Sequence, residues 1–408
     1  MAKNKNVIIF AATFLMWFSI YTYQSNFTPY MQNTLEFTPT MIGLVIGSYG
    51  LTQMLLRVPL GILSDKLGTR KLFIIIGVAF TFISSFMLFL FDNFILVMIA
   101  RASAGIAAST WVSFMVLFSS YYDKSQTVKA AGTLNFFNNI GQLSGILCGS
   151  LLVSFTLWRD RSAFLLAAFV GLLAFICSFA IYEDKSKITA KKNIGDTGNR
   201  PTEIAHNAEI SGGLPSSPTS LISNKTLIII SLIGAVSQLI TFSTIFGFTP
   251  AYAKDILEIN EMQNGLLMIF SYIPTAFGAL FLSRFLAGRF KEYKLVIIGM
   301  MLMGASTILI PFTATYYLLV ITQVIAGFGR GISFPLLMGL SIKNIQENQR
   351  GAAMGIFQAV YSFGMFFGPF ITGLINENFE LGAAFIFLGA VCFIFTVLSY
   401  FSLRKLDL

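Results

Sequence analysis

The chain has 408 residues, of which 55% are hydrophobic and only 11% charged, with a mean hydropathy of +0.76, whereas soluble domains carry about 25% charge. With 43 phenylalanines and so few charges it cannot clothe a water-exposed surface, which excludes a soluble globular enzyme and sets most of the surface against lipid. The net charge of +9 is scattered between apolar segments rather than gathered on one soluble face, so it is no footprint for nucleic acid.

A helix needs roughly 20 apolar residues to cross about 30 Å of hydrocarbon. Such runs predict twelve spans, at 7–30, 41–63, 72–91, 94–121, 131–154, 163–182, 226–251, 264–283, 295–312, 316–342, 351–375 and 382–402. The first follows a short polar start and runs on without a small-residue cleavage site, so it reads as an uncleaved span rather than a signal peptide. Most connections are short, which makes successive helices antiparallel neighbours. The exception is 183–225, where Lys185, Lys187, Lys191, Lys192 and the stretch "SGGLPSSPTS" predict a flexible linker. It divides the chain into a six-helix bundle at 1–182 and a second at 226–408. The expected fold class is therefore an all-α membrane protein of two pseudo-symmetric six-helix bundles. Cys148, Cys177 and Cys392 fall inside apolar runs, so neither a disulfide framework nor a metal site is expected, and no cofactor.

When loops are assigned alternately to the two sides, the side holding both termini and the linker carries 21 of the 27 Lys/Arg, and three more lie inside spans. The positive-inside rule puts that side, and hence both termini, in the cytoplasm of a cell-membrane protein. Acidic residues divide 10 to 8 and show no such bias, and none falls inside a predicted span.

The two halves repeat one another at a nearly constant offset. "FTPY" from Phe27 matches "FTPAY" from Phe248, "IGSY" ending at Tyr49 matches "IFSY" ending at Tyr272, and "KLFIIIG" from Lys71 matches "KLVIIG" from Lys294. Gly105 in span 4 matches Gly327 in span 10, and Gly132, Gly141 and Gly145 in span 5 match Gly355, Gly364 and Gly368 in span 11. Duplicated halves with a midplane site between them are a transporter architecture, in which one half rocks against the other.

Spans 2 and 3 are joined by "GILSDKLGTRK", with Gly61, Asp65, Lys66, Gly68, Arg70 and Lys71. Glycines there allow a tight turn, the basic residues anchor it on the inside, and Asp65 is placed to meet a helix N-terminus, that of span 11 in one conformation. This loop resembles the signature of the major facilitator superfamily, Gly-x-x-x-Asp-Arg/Lys-x-Gly-x-Arg/Lys-Arg/Lys, at every position, and the twelve spans and the 6+6 repeat extend the resemblance over the whole chain. "RASAGIAAS" resembles the family's Arg-x-x-x-Gly motif through Arg101 and Gly105, which implies a link between that arginine and proton coupling. Span 5, "GTLNFFNNIGQLSGILCGS", resembles the antiporter motif through Gly132, Gly141, Gly145 and Gly149, with Ile146 in place of its proline and Ser150 in place of its last glycine. Span 11 keeps Gly355, Gly364, Gly368, Pro369 and Gly373. The residues alone say that small side chains every fourth position let helices pack closely and that Pro369 can bend one. The resemblance adds a gating role.

The three intramembrane arginines are the sharpest signal. At 1.5 Å per residue, Arg57 lies ~10 Å inside the inner end of span 2 and Arg101 about as far inside the outer end of span 4, with Arg330 near the middle of span 10. A central arginine costs at least ~2.5 kcal/mol to insert, so each should face the bundle interior. Polar residues share their helix faces: Tyr49 and Gln53 with Arg57, and Gln323 with Arg330. Span 1 offers Thr13, Trp17, Tyr21 and Gln24 on one stripe, and span 5 Asn135, Asn138, Asn139 and Gln142. Span 7 offers Gln238 and Thr241, and span 11 Gln358 and Tyr361. Together these predict a polar, aromatic-lined central cavity.

The sequence thus predicts an alternating-access carrier for a small molecule, a monomer in the bilayer, driven by a coupling ion or counter-solute because no phosphate-cradling GxxxxGK[ST] sequence is present. Two substrate readings stand. The resemblance in spans 5 and 11 implies efflux by antiport. Three buried arginines without a buried Asp or Glu favour a small anionic metabolite or inorganic anion, since a cation would meet an uncompensated positive interior. The spans hold no His, Asp, Glu or ligand-spaced Cys, which argues against a membrane-embedded enzyme.

Overall fold

The computed structural model describes residues 2–122, 126–183, 221, 224–281, 285, 286, 289–346 and 349–405. The larger part of the predicted linker and the side chain of Asp65 lie outside this description. In hydrocarbon every backbone N–H and C=O must be satisfied within its own segment, and the chain meets that demand with helices. Twelve are long and apolar enough to cross a membrane. Spans 1 to 6 are Lys5–Asn33, Pro39–Ser64, Lys71–Leu90, Phe94–Ser119, Gly132–Phe155 and Asp160–Phe179. Spans 7 to 12 are Lys225–Leu257, Glu261–Phe281, Glu292–Phe312, Tyr316–Lys343, Arg350–Asn378 and Leu381–Arg404.

The helices overrun the apolar runs by up to two turns, because polar end residues near the interface still fold helically. Asp160, Asp255, Glu261, Glu292 and Glu377, expected in loops, therefore ride on the terminal turns of spans 6, 7, 8, 9 and 11. Some starts are fixed by side-chain caps: Asn93 accepts from Ile95 N at 3.0 Å, and Asn224 from Leu227 N at 3.0 Å. Spans 1 and 7 are not continuous α-helices. Span 1 breaks between Thr22 and Phe27, and span 7 passes through a π-helical turn at Thr244–Phe248. The cause in span 7 is Pro250, which has no N–H to give to the carbonyl of Phe246 four residues earlier.

Helix packing repeats between the halves. Span 1 packs on spans 5 and 6, span 2 on span 4, and span 3 on spans 4 and 6; span 7 on spans 11 and 12, span 8 on span 10, and span 9 on spans 10 and 12 follow the same scheme. Of the glycines singled out in spans 5 and 11, Gly141, Gly145, Gly149, Gly364 and Gly368 lie in these seams, whereas Gly132 faces open space and Gly355 and Gly373 face span 2. An added Cβ at Gly141 or Gly145 would strike the backbone of Phe14 or Phe18 in span 1, and one at Gly364 or Gly368 the backbone of Ala235 or Leu239 in span 7. Small residues are what let the backbones touch.

The halves join where span 2 meets span 11 and, less extensively, where span 5 meets span 8. The first seam is tight at its outer end: a Cβ at Gly43, Gly47, Gly50 or Gly373 would collide with span 11 or span 2 backbone across it. At the inner end, a Cβ at Gly61 or Gly351 would meet nothing within 4 Å, and one at Gly355 only Val58 at 3.9 Å. Hydrogen bonds repeat the asymmetry. Gln32 and Asn33 donate to Asp255 at 2.6 and 3.2 Å, Thr40 N to Glu377 at 3.1 Å, and Arg159 pairs with Glu261. Among the described residues the cross-half contacts thus gather on the face away from the chain's ends, the outer face of the topology expected from the sequence, and thin out toward the opposite, inner one.

Candidate functional site

Arg330 sits at mid-length of span 10 and is half-buried. Its Nε and Nη2 donate to Thr275 Oγ1 at 3.2 and 2.8 Å, and Nη2 also reaches the carbonyl and hydroxyl of Ser271, each at 3.3 Å. The guanidinium lies over the ring of Tyr272 at 5.6 Å. Among the described residues it has no carboxylate partner, and its Nη1 has no acceptor. One edge of the fork is held by span 8, which leaves the other to meet a ligand oxygen.

Arg57 is also half-buried, and it crosses between the halves. Nη1 donates to Gln358 Oε1 at 3.1 Å and to the Tyr361 hydroxyl, Nη2 to Gln53 Oε1, and the guanidinium lies 5.2 Å from the Tyr361 ring centre. The structure thus brings together four residues that the sequence placed on spans 2 and 11. They close the inner end of the seam between those spans, just above the open glycines.

Arg101 is different: it is 2% exposed. Nη1 donates to the Tyr23 hydroxyl at 3.3 Å and Nη2 to Gln24 Oε1 at 2.7 Å, while the rings of Tyr49, Phe27 and Tyr23 surround it at 4.6, 5.6 and 5.8 Å. This cage leaves no room for a solute, so Arg101 and Gln24, predicted to line the cavity, are enclosed in this conformation.

Rings connect the enclosed Arg101 with the half-buried Arg330. Tyr49 stacks on Phe242 with centroids 5.9 Å apart, Phe242 meets Phe246 at 4.9 Å, and Phe246 meets Tyr272, under Arg330, at 5.9 Å. Tyr21 touches both Phe246 and Tyr272, and Trp17 follows at 6.0 Å with Trp111 beyond it at 5.6 Å. Trp17 Nε1, Thr13 Oγ1 and Gln323 Oε1 are buried without a hydrogen-bond partner among the described residues. On span 5, Asn135 and Asn139 are exposed toward the inner end while Gln142 donates to Asn138. Gln238 is half-buried.

The loop between spans 2 and 3 is held by a residue that was not foreseen. Gly68 has φ 64°, a conformation that favours glycine. The carboxylate of Glu183, just after span 6, accepts from Thr69 Oγ1 at 2.8 Å and from the backbone N–H groups of Arg70 and Lys71. It therefore sits on the N-terminus of span 3, where an anion meets unpaired N–H groups and the positive end of the helix dipole. Arg70 reaches Ser64, and Lys71 Nζ the carbonyl of Phe179 at 2.7 Å. The expectation for Asp65 concerns a side chain outside the described residues. Tyr272, Thr275 and Ser271 were missed as well, although Tyr272 stood in the repeat that matched Tyr49. Among the described residues no group of three His, Cys, Asp or Glu is placed to hold a metal ion.

Comparison with known proteins adds the following. The family model of the Major Facilitator Superfamily matches residues 9–260 and 231–407. The chain is 24% identical over 383 residues to the uncharacterized MFS-type transporter MJ1560 of Methanocaldococcus jannaschii, covering 91% of each chain. It is 25% identical over 354 residues to the quinolone resistance protein NorA of Staphylococcus aureus, covering 86% of this chain and 84% of that one. Among solved structures it is similar to the nucleoside transporter NupG with a TM-score of 0.72 at 17% identity, covering 98% and 99%.

Proposed function

This chain belongs to the Major Facilitator Superfamily, and from that premise we propose that it moves a small anionic solute by alternating access, with Arg330 as the solute's counter-charge at mid-depth. It is a membrane transporter for a small molecule and not an enzyme. The observation that carries the anionic reading is the unbalanced charge of the interior. Three guanidinium groups lie inside the spans and none pairs with a carboxylate among the described residues. Arg57 and Arg101 are held by amides, hydroxyls and rings, each with a buried Nε left over, whereas Arg330 lies half-buried at mid-depth, held on one edge only, with its Nη1 unpartnered among the described residues. A buried cation without a partner is stabilised most by a ligand that brings the missing charge.

Arg57, Gln53, Gln358 and Tyr361 mark the inner limit of the path, and Tyr21, Trp17 and Tyr272 its aromatic wall. The glycines of spans 5 and 11, with Pro369, let the halves slide along spans 1 and 7. The bundles at 1–182 and 226–408 are the rocking bodies, in a cell membrane with both termini in the cytoplasm and the chain acting as a monomer. Binding of anions to purified protein, followed by thermal shift across pH, tests the reading. Wild type should be stabilised in a saturable way by at least one anion class, and Arg330→Gln should lose that response while its unliganded melting temperature stays close to wild type. Unchanged binding in Arg330→Gln would sink it.

A second reading has its own support. The glycine pattern of spans 5 and 11 and the likeness to NorA favour efflux of a hydrophobic compound in exchange for an ion. Stabilisation by cationic dyes that Arg330→Gln leaves intact would favour it.

A further inference from the structure

We propose that Arg101 is a positioning residue of the outer gate: it fixes the amide of Gln24 so that span 1 grips the carbonyl that Pro250 leaves open in span 7. Gln24 Nε2 donates to Phe246 O at 3.1 Å, across the two halves of the chain. Phe246 lies in the π-helical turn of span 7, and the residue that would serve its carbonyl in an α-helix is a proline. That carbonyl is therefore an acceptor presented by the sequence itself. One turn further out, Thr28 Oγ1 donates to the next carbonyl, Gly247 O, at 2.7 Å.

Gln24 makes a useful grip only in one orientation. Its amide has an acceptor end and a donor end, and a flipped amide would set its oxygen against the carbonyl of Phe246. Arg101 settles the choice, because a guanidinium only donates. Its Nη2 holds Gln24 Oε1 at 2.7 Å, which turns the NH2 end toward span 7. The arginine is itself fixed by the Tyr49 ring at 4.6 Å, and Tyr49 stacks on Phe242, again in span 7. Every contact of this cage that leaves the first half lands on span 7. At 2% exposure the guanidinium has no access to solute, so its charge serves the gate rather than the cargo.

The device is one-sided. At the repeat offsets, Ile245 stands where Gln24 has its counterpart and Gln323 where Arg101 has its own, so the second half cannot return the grip. Opening the outer face must break the bonds of Gln24 and Thr28 to the span 7 carbonyls along with those of Gln32 and Asn33 to Asp255, and the carbonyls then turn to water.

The test measures distances by electron spin resonance between labels at outer positions 34 and 260 and at inner positions 126 and 344. Cys148, Cys177 and Cys392 are replaced, and the protein is held in lipid nanodiscs. The informative variant is Gln24→Glu. A carboxylate gives Arg101 an ionic partner, so the melting temperature is kept or raised, yet it has no proton for Phe246 O. The outward-open to inward-open ratio should rise about fivefold, the equivalent of about 1 kcal/mol. Gln24→Leu and Thr28→Val, which remove the grip without adding charge, should shift the ratio the same way. The inference rests on alternating access. A wild type with a single distance at each face under all conditions would sink that reading and the latch with it. Two wild-type populations that none of the three variants shifts would overturn the latch alone.

Discussion

Spans 2 and 4 of the first half and spans 8 and 10 of the second are built on one plan and carry their cations at different depths. In both, a glycine marks the crossing: a Cβ at Gly105 would strike the carbonyl of Tyr49, and one at Gly327 the carbonyl of Ser271. In both, the matched tyrosine, Tyr49 or Tyr272, presents its ring to an arginine, at 4.6 and 5.6 Å. Arg101, however, comes four residues before its glycine and Arg330 three after, a difference in depth of roughly 10 Å along helices that both run inward. The first cation lands in a sealed aromatic cage on the outer side. The second lands at mid-depth, half-buried, with one edge of its fork unpartnered among the described residues. A duplicated scaffold thus fixes the platform twice and leaves the height of the charge free, and the height decides whether the charge holds the protein together or is left for a ligand.

The strongest way to break this contrast is Arg330→Gln, which should weaken anion binding at least about 30-fold, roughly 2–5 kcal/mol for loss of a buried counter-charge, while thermal unfolding without ligand moves little. Arg101→Gln should do the opposite. It removes two charged hydrogen bonds and the stacked rings' partner, so stability should fall by about 2 kcal/mol with anion affinity within about twofold of wild type. Titration calorimetry and unfolding of both variants side by side would decide. Equal effects of the two on binding would show that depth does not separate their roles.

The glycine crossings test the shared part of the plan. Gly105→Ala and Gly327→Ala each press a methyl group against a backbone carbonyl that cannot give way, and each should cost about 1.5 kcal/mol of stability. Only Gly327→Ala displaces Ser271 and Thr275, which hold Arg330, so only it should also reduce anion affinity, by about threefold. A pair of alanines with the same binding constant would mean that span 8 does not orient the arginine.

Much of this was legible in the sequence. Span count and the internal repeat follow from apolar length and from offsets near 222, because lipid admits so few backbone arrangements. The buried arginines were legible for the same reason, as charges where charge is expensive. Gln53 and Arg57 on one face, and Gln358 and Tyr361 on another, were expected to line a cavity; that they bond to one another across the halves was not legible. What the sequence hid was contact that depends on crossing geometry. Ser271 and Thr275 are unremarkable hydroxyls of span 8 until Gly327 lets span 10 come close enough for Arg330 to reach them. Gln24 read as a cavity residue because a helical stripe gives direction without distance. The proline of "FTPAY" was visible as a repeat, yet its consequence, a carbonyl offered to the other half, appears only once the π-helical turn is in place.

Glu183 offers the smallest and most local test of the same comparison. It caps span 3 by accepting from Thr69, Arg70 and Lys71. Span 9, the counterpart of span 3, begins with its own Glu292, which pairs with Lys343 at 2.6 Å. One half thus draws the anion for this helix start from the end of span 6, and the other carries it within the helix. Glu183→Gln keeps the shape and a single acceptor oxygen but loses the charge at the helix N-terminus, so it should cost about 0.5 kcal/mol, screened by salt. It should also loosen the loop around Gly68, read as faster amide exchange at Arg70 and Lys71 than in wild type. Glu292→Gln should leave that loop untouched. If both variants speed exchange there alike, the cap is not local to span 3, and the end of span 6 would be acting on the inner face as a whole.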